Sequence, residues 1–219
     1  MTTKEDADHE AERFFEELWR KGDAWAFDSS PWETTRLDHL RDLVADRRYP
    51  RALEIGCGAG HFTQRLLPLV DAVVALDVAP AAIEKARARL LASPLGSRAE
   101  LRVLNVMNAD LRDERPFDLV VLSETVAYLG WLYPFFSVAW LARDLFERSR
   151  PGGRLLLANT LGEIGDALVL PWIVRSYHDL FRNAGFETER EESLRGTKDG
   201  VELEVLISVL RRPVPAAGA

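Results

Sequence analysis

The stretch LEIGCGAG, residues 53–60, decides how the rest of the chain is read. An apolar run ends in three glycines at alternate positions, and a carboxylate, Glu54, stands two residues before the first of them. Glycines permit positive φ and remove Cβ, so a ligand can lie directly on the backbone. The next segment, HFTQRLLPLV, reads as a helix stopping near Pro68, whose first N–H groups can receive a negative ligand group. A pyrophosphate fits poorly here. Its G-x-G-x-x-G fingerprint needs glycine where His61 stands, and Glu54 would set a second negative charge at the rim. A ligand carrying cationic groups and no phosphate reverses that sign.

Strand and helix alternate outward from this loop. RALEI (51–55), AVVALD (72–77), LRVLNV (101–106), DLVVLS (118–123) and RLLLAN (154–159) read as strands that are apolar on both faces, as in a parallel sheet covered by helices. PAAIEKARARLL from Pro80, PFFSVAWLARDLFERS from Pro134, and residues 171–183 read as helices, with RPGG (150–153) as a turn. FETERE and VELEVLISVL close the chain as strands, the last pairing antiparallel at or near an edge. Upstream, residues 9–20 form an amphipathic helix, and a second follows with Ser30 as N-cap, Pro31 at the first position and Glu33 completing a capping box. Asp77, at the tip of the second strand, can accept both hydroxyls of a ribose or cap the following helix.

The chain has 219 residues, 47% hydrophobic, enough for one well-cored domain. Its net charge of −7 is spread among mixed signs, which disfavours a nucleic-acid partner. No run approaches the roughly 20 apolar residues of a membrane span. The acidic, amphipathic N-terminus is unlike a secretory signal, and a cytoplasmic protein is expected. A single cysteine, Cys57, excludes an internal disulfide, and neither cysteine nor histidine spacing supports a metal. Cys57 reads as a small packing residue. A small-molecule partner is expected, and the oligomeric state is not legible.

LEIGCGAGHFTQRL, ALDVAP, FDLVVLSETVAYL and SRPGGRLLLAN together resemble the successive motifs of the class I S-adenosylmethionine-dependent methyltransferases, over roughly residues 35–190. The segment GDAWAFDSSPWETTRLDHL further resembles the nodulation protein S-like branch, which methylates the amine of a chitooligosaccharide precursor; Asp23-Ala24-Trp25 stands where that branch carries Asp-Pro-Trp. The resemblance implies a Rossmann-like, doubly wound, mostly parallel seven-stranded sheet with an antiparallel final strand. It also implies an N-terminal helical cap (1–50), a core (51–211) and a flexible tail (212–219) in a single domain.

The cofactor implied is S-adenosyl-L-methionine, which carries a sulfonium and an ammonium group. Glu54 then orients the loop or receives the ammonium group, and Gly56, Gly58 and Gly60 line the methionine portion with Cys57 between them. Asp77 binds ribose, and Val78 packs on the adenine edge. Met107 and Asn108 fall where the adenine-reading pair belongs, with Asp110 as the substitute for a longer loop. Ser123 offers backbone contacts to the methionine amine. Glu124, Tyr128 and His178 are the candidate general bases. Two of them have a plainer alternative: a capping carboxylate for Glu124 and a packed histidine for His178. Trp25, Trp32 and Trp131, with Phe27 and Tyr133, are candidates for an acceptor lid, and residues 161–171 for another wall. An NAD-dependent oxidoreductase and a non-catalytic S-adenosylmethionine-binding subunit remain the rival readings.

Overall fold

The computed structural model describes residues 3–23, 25–112, 114–162 and 169–215. Strands β1 (Tyr49–Ile55), β2 (Val70–Asp77), β3 (Ala99–Val103), β4 (Phe117–Ser123), β5 (Ser149–Leu161), β6 (Glu187–Lys198) and β7 (Val201–Arg211) form one sheet in the order β3-β2-β1-β4-β5-β7-β6. β1 with β2, β2 with β3 and β4 with β5 run parallel, whereas β5 and β7 run antiparallel. The helices are α1 (Lys4–Lys21), α2 (Pro31–Asp42), α3 (His61–Leu66), α4 (Pro80–Leu91), α5 (Val126–Leu132), α6 (Phe135–Arg148) and α7 (Pro171–Asn183). This is the doubly wound α/β arrangement expected, with the antiparallel strand one place from the edge. The chain divides into two compact units.

The first unit comprises residues 1–109 and 196–202. Leu53, Val73, Val74, Ala75 and Leu76 are all buried, as parallel strands covered on both faces must be. Phe62 and Leu66 of α3, with Ile83, Ala86 and Leu90 of α4, present the apolar stripes that do the covering. α1 starts at Lys4, earlier than residue 9, because Thr3 and Asp6 form a capping box. Ser30 and Pro31 do open α2, but Ser30 makes no side-chain capping bond. Glu33 does not complete a box either. Its carboxylate is buried and accepts from Arg36 Nε (2.9 Å) and Nη2 (2.7 Å) and from Lys198 Nζ (2.7 Å). Two charge-assisted partners outweigh one neutral bond to its own helix.

The second unit comprises residues 110–195 and 203–219. Its RPGG segment is no turn between elements: β5 already begins at Ser149, which pairs with Phe117, and the register shifts before Leu119 pairs with Arg154. Gly152, at φ 80°, donates to Arg212 O within this irregularity. A short helix, α5, precedes Pro134, where the sequence pattern marked only aromatic loop residues. Arg212, expected to begin the tail, donates to the carbonyls of Phe146, Glu147 and Ser149. The expected tail residues 216–219, and residues 163–168 of the expected wall, lie outside the described residues.

Gly153 backs onto three carbonyls, and a Cβ there would stand 2.8 Å from Arg150 O and 3.2 Å from both Asp118 O and Phe117 O. Because backbone cannot swing aside as a side chain can, Gly153→Ala is expected to destabilise the protein by about 1–3 kcal/mol. Urea unfolding of the two proteins checks this, and an unchanged midpoint would contradict the close packing of the bulge.

Candidate functional site

The loop after β1 is built on left-handed glycines: φ is 77° at Gly56, 52° at Gly58 and 77° at Gly60. Gly56 N and Cys57 N both donate to Leu76 O, at 2.8 and 2.9 Å, which ties the loop to β2. The spacing also serves two close approaches. A Cβ on Gly60 would lie 3.1 Å from Ala86 Cβ of α4, and one on Gly58 would lie 2.6 Å from the Trp19 ring of α1.

Asp77 joins the second strand tip to that loop. Its Oδ2 accepts from Gly58 N at 2.8 Å and its Oδ1 from Ala79 N at 2.9 Å. It therefore caps the chain leading into α4 and holds the loop at once. Each carboxylate oxygen keeps a second lone pair for a ligand. Burial pushes Asp77 up to about 6, opposed by the N–H groups of Ala79, Gly58 and Val78 and reinforced by the Glu16 charge. Val78 itself is half-buried.

Glu54 is buried on β1, and its Oε2 has no hydrogen-bond partner. Burial pushes it up to about 8; Thr63 beside it opposes the shift without completing a hydrogen bond, and Asp77 adds to it. Two carboxyls held up by burial favour a ligand whose charge compensates theirs. A ligand with an ammonium group and a ribose diol supplies what these groups lack, while a pyrophosphate would add to the like charge. The residues thus fit S-adenosylmethionine. Burial also pushes the Cys57 thiol up, with Asp77 and Glu54 adding, so Cys57 is a packed thiol.

At the exit of β3, Val106–Asn108 form one 3-10 turn, in which Asn105 Oδ1 accepts from Met107 N at 3.0 Å. Met107 is half-buried and Asn108 is exposed. Asp8 of α1 accepts from Asn105 Nδ2 and Asn108 Nδ2, both at 3.0 Å, and Lys4 donates to Asn108 Oδ1. Asp110 is engaged elsewhere: Arg112 holds its carboxyl down to about 2.

Three α1 residues at this site were not singled out by sequence reasoning as ligand-site residues. Asp8 bridges the two asparagines, Glu16 Oε2 accepts from Ala81 N at 2.8 Å, and Trp19 covers Gly58. A signal existed: Lys4, Asp8, Phe15 and Trp19 recur at helical spacing, so the polar pair continues the aromatic stripe.

The tryptophans separate. Trp25 lies 5.2 Å from Trp19 and 6.2 Å from Phe27, and Phe27 stacks on His61 at 5.0 Å. His61 Nε2 is 3.0 Å from Asp28 Oδ1, and burial lowers its pKa. Trp32, expected in an acceptor lid, is instead buried, and a Cβ on Gly196 would meet its ring at 2.1 Å. A ring enclosed by backbone in this way is core, not wall.

In the second unit, Ser123 ends β4 opposite Ala158. Glu124 follows at φ 57°, a left-handed conformation costing a non-glycine residue about 1–2 kcal/mol. Its N donates to Ala158 O (2.7 Å), and its carboxylate accepts from Thr160 N (2.9 Å) and Thr160 Oγ1 (3.0 Å). These bonds hold the strained tip in place. On α5, Tyr128 is half-buried and Trp131 exposed. His178, a candidate base, is completely buried, with Nδ1 2.9 Å from Ser208 Oγ and Nε2 3.2 Å from Asn159 Oδ1. Burial pushes it down to about 3, with Arg182 and Arg175 adding. With both nitrogens engaged and no exposure, His178 is a structural histidine.

Residues 53–155 match a family model described as a methyltransferase domain. Nodulation protein S of Rhizobium tropici is 30% identical over 138 residues, covering 63% of this chain and 55% of that protein. The ubiquinone biosynthesis O-methyltransferase of Methylocella silvestris is 30% identical over 169 residues, covering 66% of this chain and 62% of that protein. The chain thus spans between about half and two thirds of these relatives. The crystal structure of the N-methyltransferase NodS from Bradyrhizobium japonicum WM9, in complex with S-adenosyl-L-homocysteine, has the same fold, with a TM-score of 0.77 and 22% identity over 93% of this chain and 98% of that one.

His178 and Glu54 predict opposite pH signatures. His178, lowered from 6.5 to about 3, contributes stability that is complete above pH 6.5 and is lost as pH falls toward 3. Glu54, raised from 4.5 to about 8, contributes stability that is complete below pH 4.5 and is lost as pH rises toward 8. Thermal midpoints measured across this range should show Glu54→Gln flattening the alkaline limb and exceeding the parent above pH 8. An alkaline limb identical in both proteins would contradict a buried, uncompensated Glu54.

Proposed function

We propose that this chain is a class I S-adenosylmethionine-dependent methyltransferase that methylates an amine on a small, sugar-like acceptor, a reading supported by the match of residues 53–155 to a methyltransferase-domain model and by the similarity to nodulation protein S. The observation that carries the cofactor half of this reading is the buried Glu54 carboxyl with its unpartnered Oε2, beside a second raised acid, Asp77. The similarity to nodulation protein S supports the amine. The similarity to ubiquinone biosynthesis O-methyltransferases supports a hydroxyl acceptor as the second reading.

S-adenosylmethionine, when bound, supplies a methyl group on sulfonium, open to displacement by a lone pair on the acceptor. Glu54 receives the ammonium group, while Gly56, Gly58 and Gly60 present backbone to the methionine portion, with Ser123 contributing its own. Asp77 accepts the ribose hydroxyls with its spare lone pairs. Asn108 reads the adenine, with Met107 and Val78 packing on the ring. Asp8 and Lys4 orient the Asn108 amide. Glu124 accepts the proton of an incoming ammonium, oriented by its bonds to Thr160. Tyr128 is the alternative base, and Trp25 and Trp131 supply aromatic surface for the acceptor. The chain's work is alignment and exclusion of water rather than covalent catalysis. A net charge of −7 supports a small acceptor over a nucleic acid.

Glu54 is mostly protonated at pH 7 with a pKa of about 8, and a cation recruits its ionised form. Titration calorimetry with S-adenosylmethionine near pH 7 should therefore show release of about one proton, and affinity rising from pH 6 to 8. Glu54→Gln should abolish the proton release near pH 7 and most of the rise in affinity, leaving only the part near pH 6 that the Asp77 carboxyl contributes. Pyrophosphate-bearing NAD should give no binding heat; if it binds while S-adenosylhomocysteine does not, the cofactor assignment fails. Asp77→Ala should lose about 1–3 kcal/mol of affinity, from unpaired ribose hydroxyls and a loosened loop.

Labelled-methyl transfer into amino sugars, and into hydroxylated aromatics as the comparison, tests the acceptor. Label in the amine is expected. Label only in hydroxyls moves the reading to O-methylation, and cofactor binding without transfer to either class favours a non-catalytic subunit.

A further inference from the structure

Helix α6 carries two apolar stripes rather than one. Val138, Leu141, Ala142 and Leu145 are buried and serve the core of the second unit. On the outer side Phe136 and Trp140, one helical turn apart, are 78% and 67% exposed. Phe135 is 56% exposed, and its ring lies 6.2 Å from that of Tyr177 on α7, which packs against α6. Trp172, in the first turn of α7, is 67% exposed. A helix apolar on both sides is the pattern of a buried helix, and here only one side is buried within the chain.

We propose that two copies of this chain associate through this aromatic face of α6 and α7. Magnitude supports the occupant. Phe135, Phe136 and Trp140 at these exposures offer on the order of 400 Å². A standard interface takes about 800 Å² from each partner, of which homodimers bury about 65% as apolar surface, so these three side chains alone supply most of the apolar share of one protomer. The rim supports it too. Exposed charged residues on the same two helices include Arg143, Asp144 and Glu147 on α6, the first and last of them paired, and Arg175 and Asp179 on α7, with both signs present on each helix. A two-fold interface meets its own surface, and a rim of mixed sign is complementary to itself. An anionic bilayer, the other habitual partner of exposed tryptophan, would meet these acids and a chain of net charge −7.

Sedimentation velocity on the full chain between about 1 and 100 µM tests this. A species of twice the 24.7 kDa chain mass is expected to accumulate with concentration. The double variant Phe136→Glu/Trp140→Glu should raise the dimer dissociation constant at least about 100-fold. It should keep parental affinity for S-adenosylhomocysteine, since neither residue belongs to the cofactor site. If the charged pair fails to fold, Phe136→Ser/Trp140→Ser serves with the same two readouts. A parent that stays monomeric at 100 µM overturns the proposal, as does a dimer indifferent to the substitutions. Flotation of the monomeric parent with phosphatidylcholine/phosphatidylglycerol vesicles, lost in the double variant, would overturn it in favour of a lipid surface.

Discussion

Asp77 reaches from the tip of β2 to the backbone of the loop after β1, and the geometry of the first unit depends on that 2.8 Å bond to Gly58 N. The bond needs a carboxylate that is nearly dry, and dryness raises its pKa. Through this bond and the two donated to Leu76 O, the loop is fixed before any ligand arrives. A preformed loop loses less conformational freedom on binding. The buried carboxyl of Glu54 is then held close to a backbone that cannot move away from it. What Glu54 lacks at this point is a partner for its Oε2.

α1 completes the first unit along one face. From Asp8 to Trp19 it advances roughly 16 Å, at about 1.5 Å per residue. Along that length it touches the 3-10 turn after β3, the start of α4 and the glycine loop, through Asp8, Glu16 and Trp19 respectively. It offers more acid than base to them, and Glu16 adds to the upward push on Asp77. Packing and electrostatics thus act in the same place: the helix that encloses the loop also sharpens its demand for a cation.

The chemistry of the strand tips was legible in the sequence because it is local. An apolar run, alternating glycines and an acid at the end of the next strand state their purpose within about 25 residues. β1, β2, α4 and α7 fall where periodicity and proline place them. Partnership across distance was not legible. Nothing near Glu33 announces that Lys198 will take its carboxylate, and nothing near Trp32 announces that a glycine 164 positions later will make room for its ring. The RPGG segment misled for a related reason: proline and glycine signal an interrupted ladder, and a bulge satisfies that signal as well as a turn does. His178 looked ambiguous because its partners, Asn159 and Ser208, come from two separate strands.

Lys198 and Gly196 bear on how the protein is made. The unit that carries the glycine loop consists of the first 109 residues together with residues 196–202, which are made only after residues 110–195. Until those seven residues leave the ribosome, Glu33 and Arg36 lack their third charge, the carbonyl of Trp25 lacks the Lys198 ammonium, and Trp32 has no surface to close against. The first 109 residues of this unit are therefore made well before the segment that completes them, and 86 residues of intervening chain, 110–195, separate the two stretches.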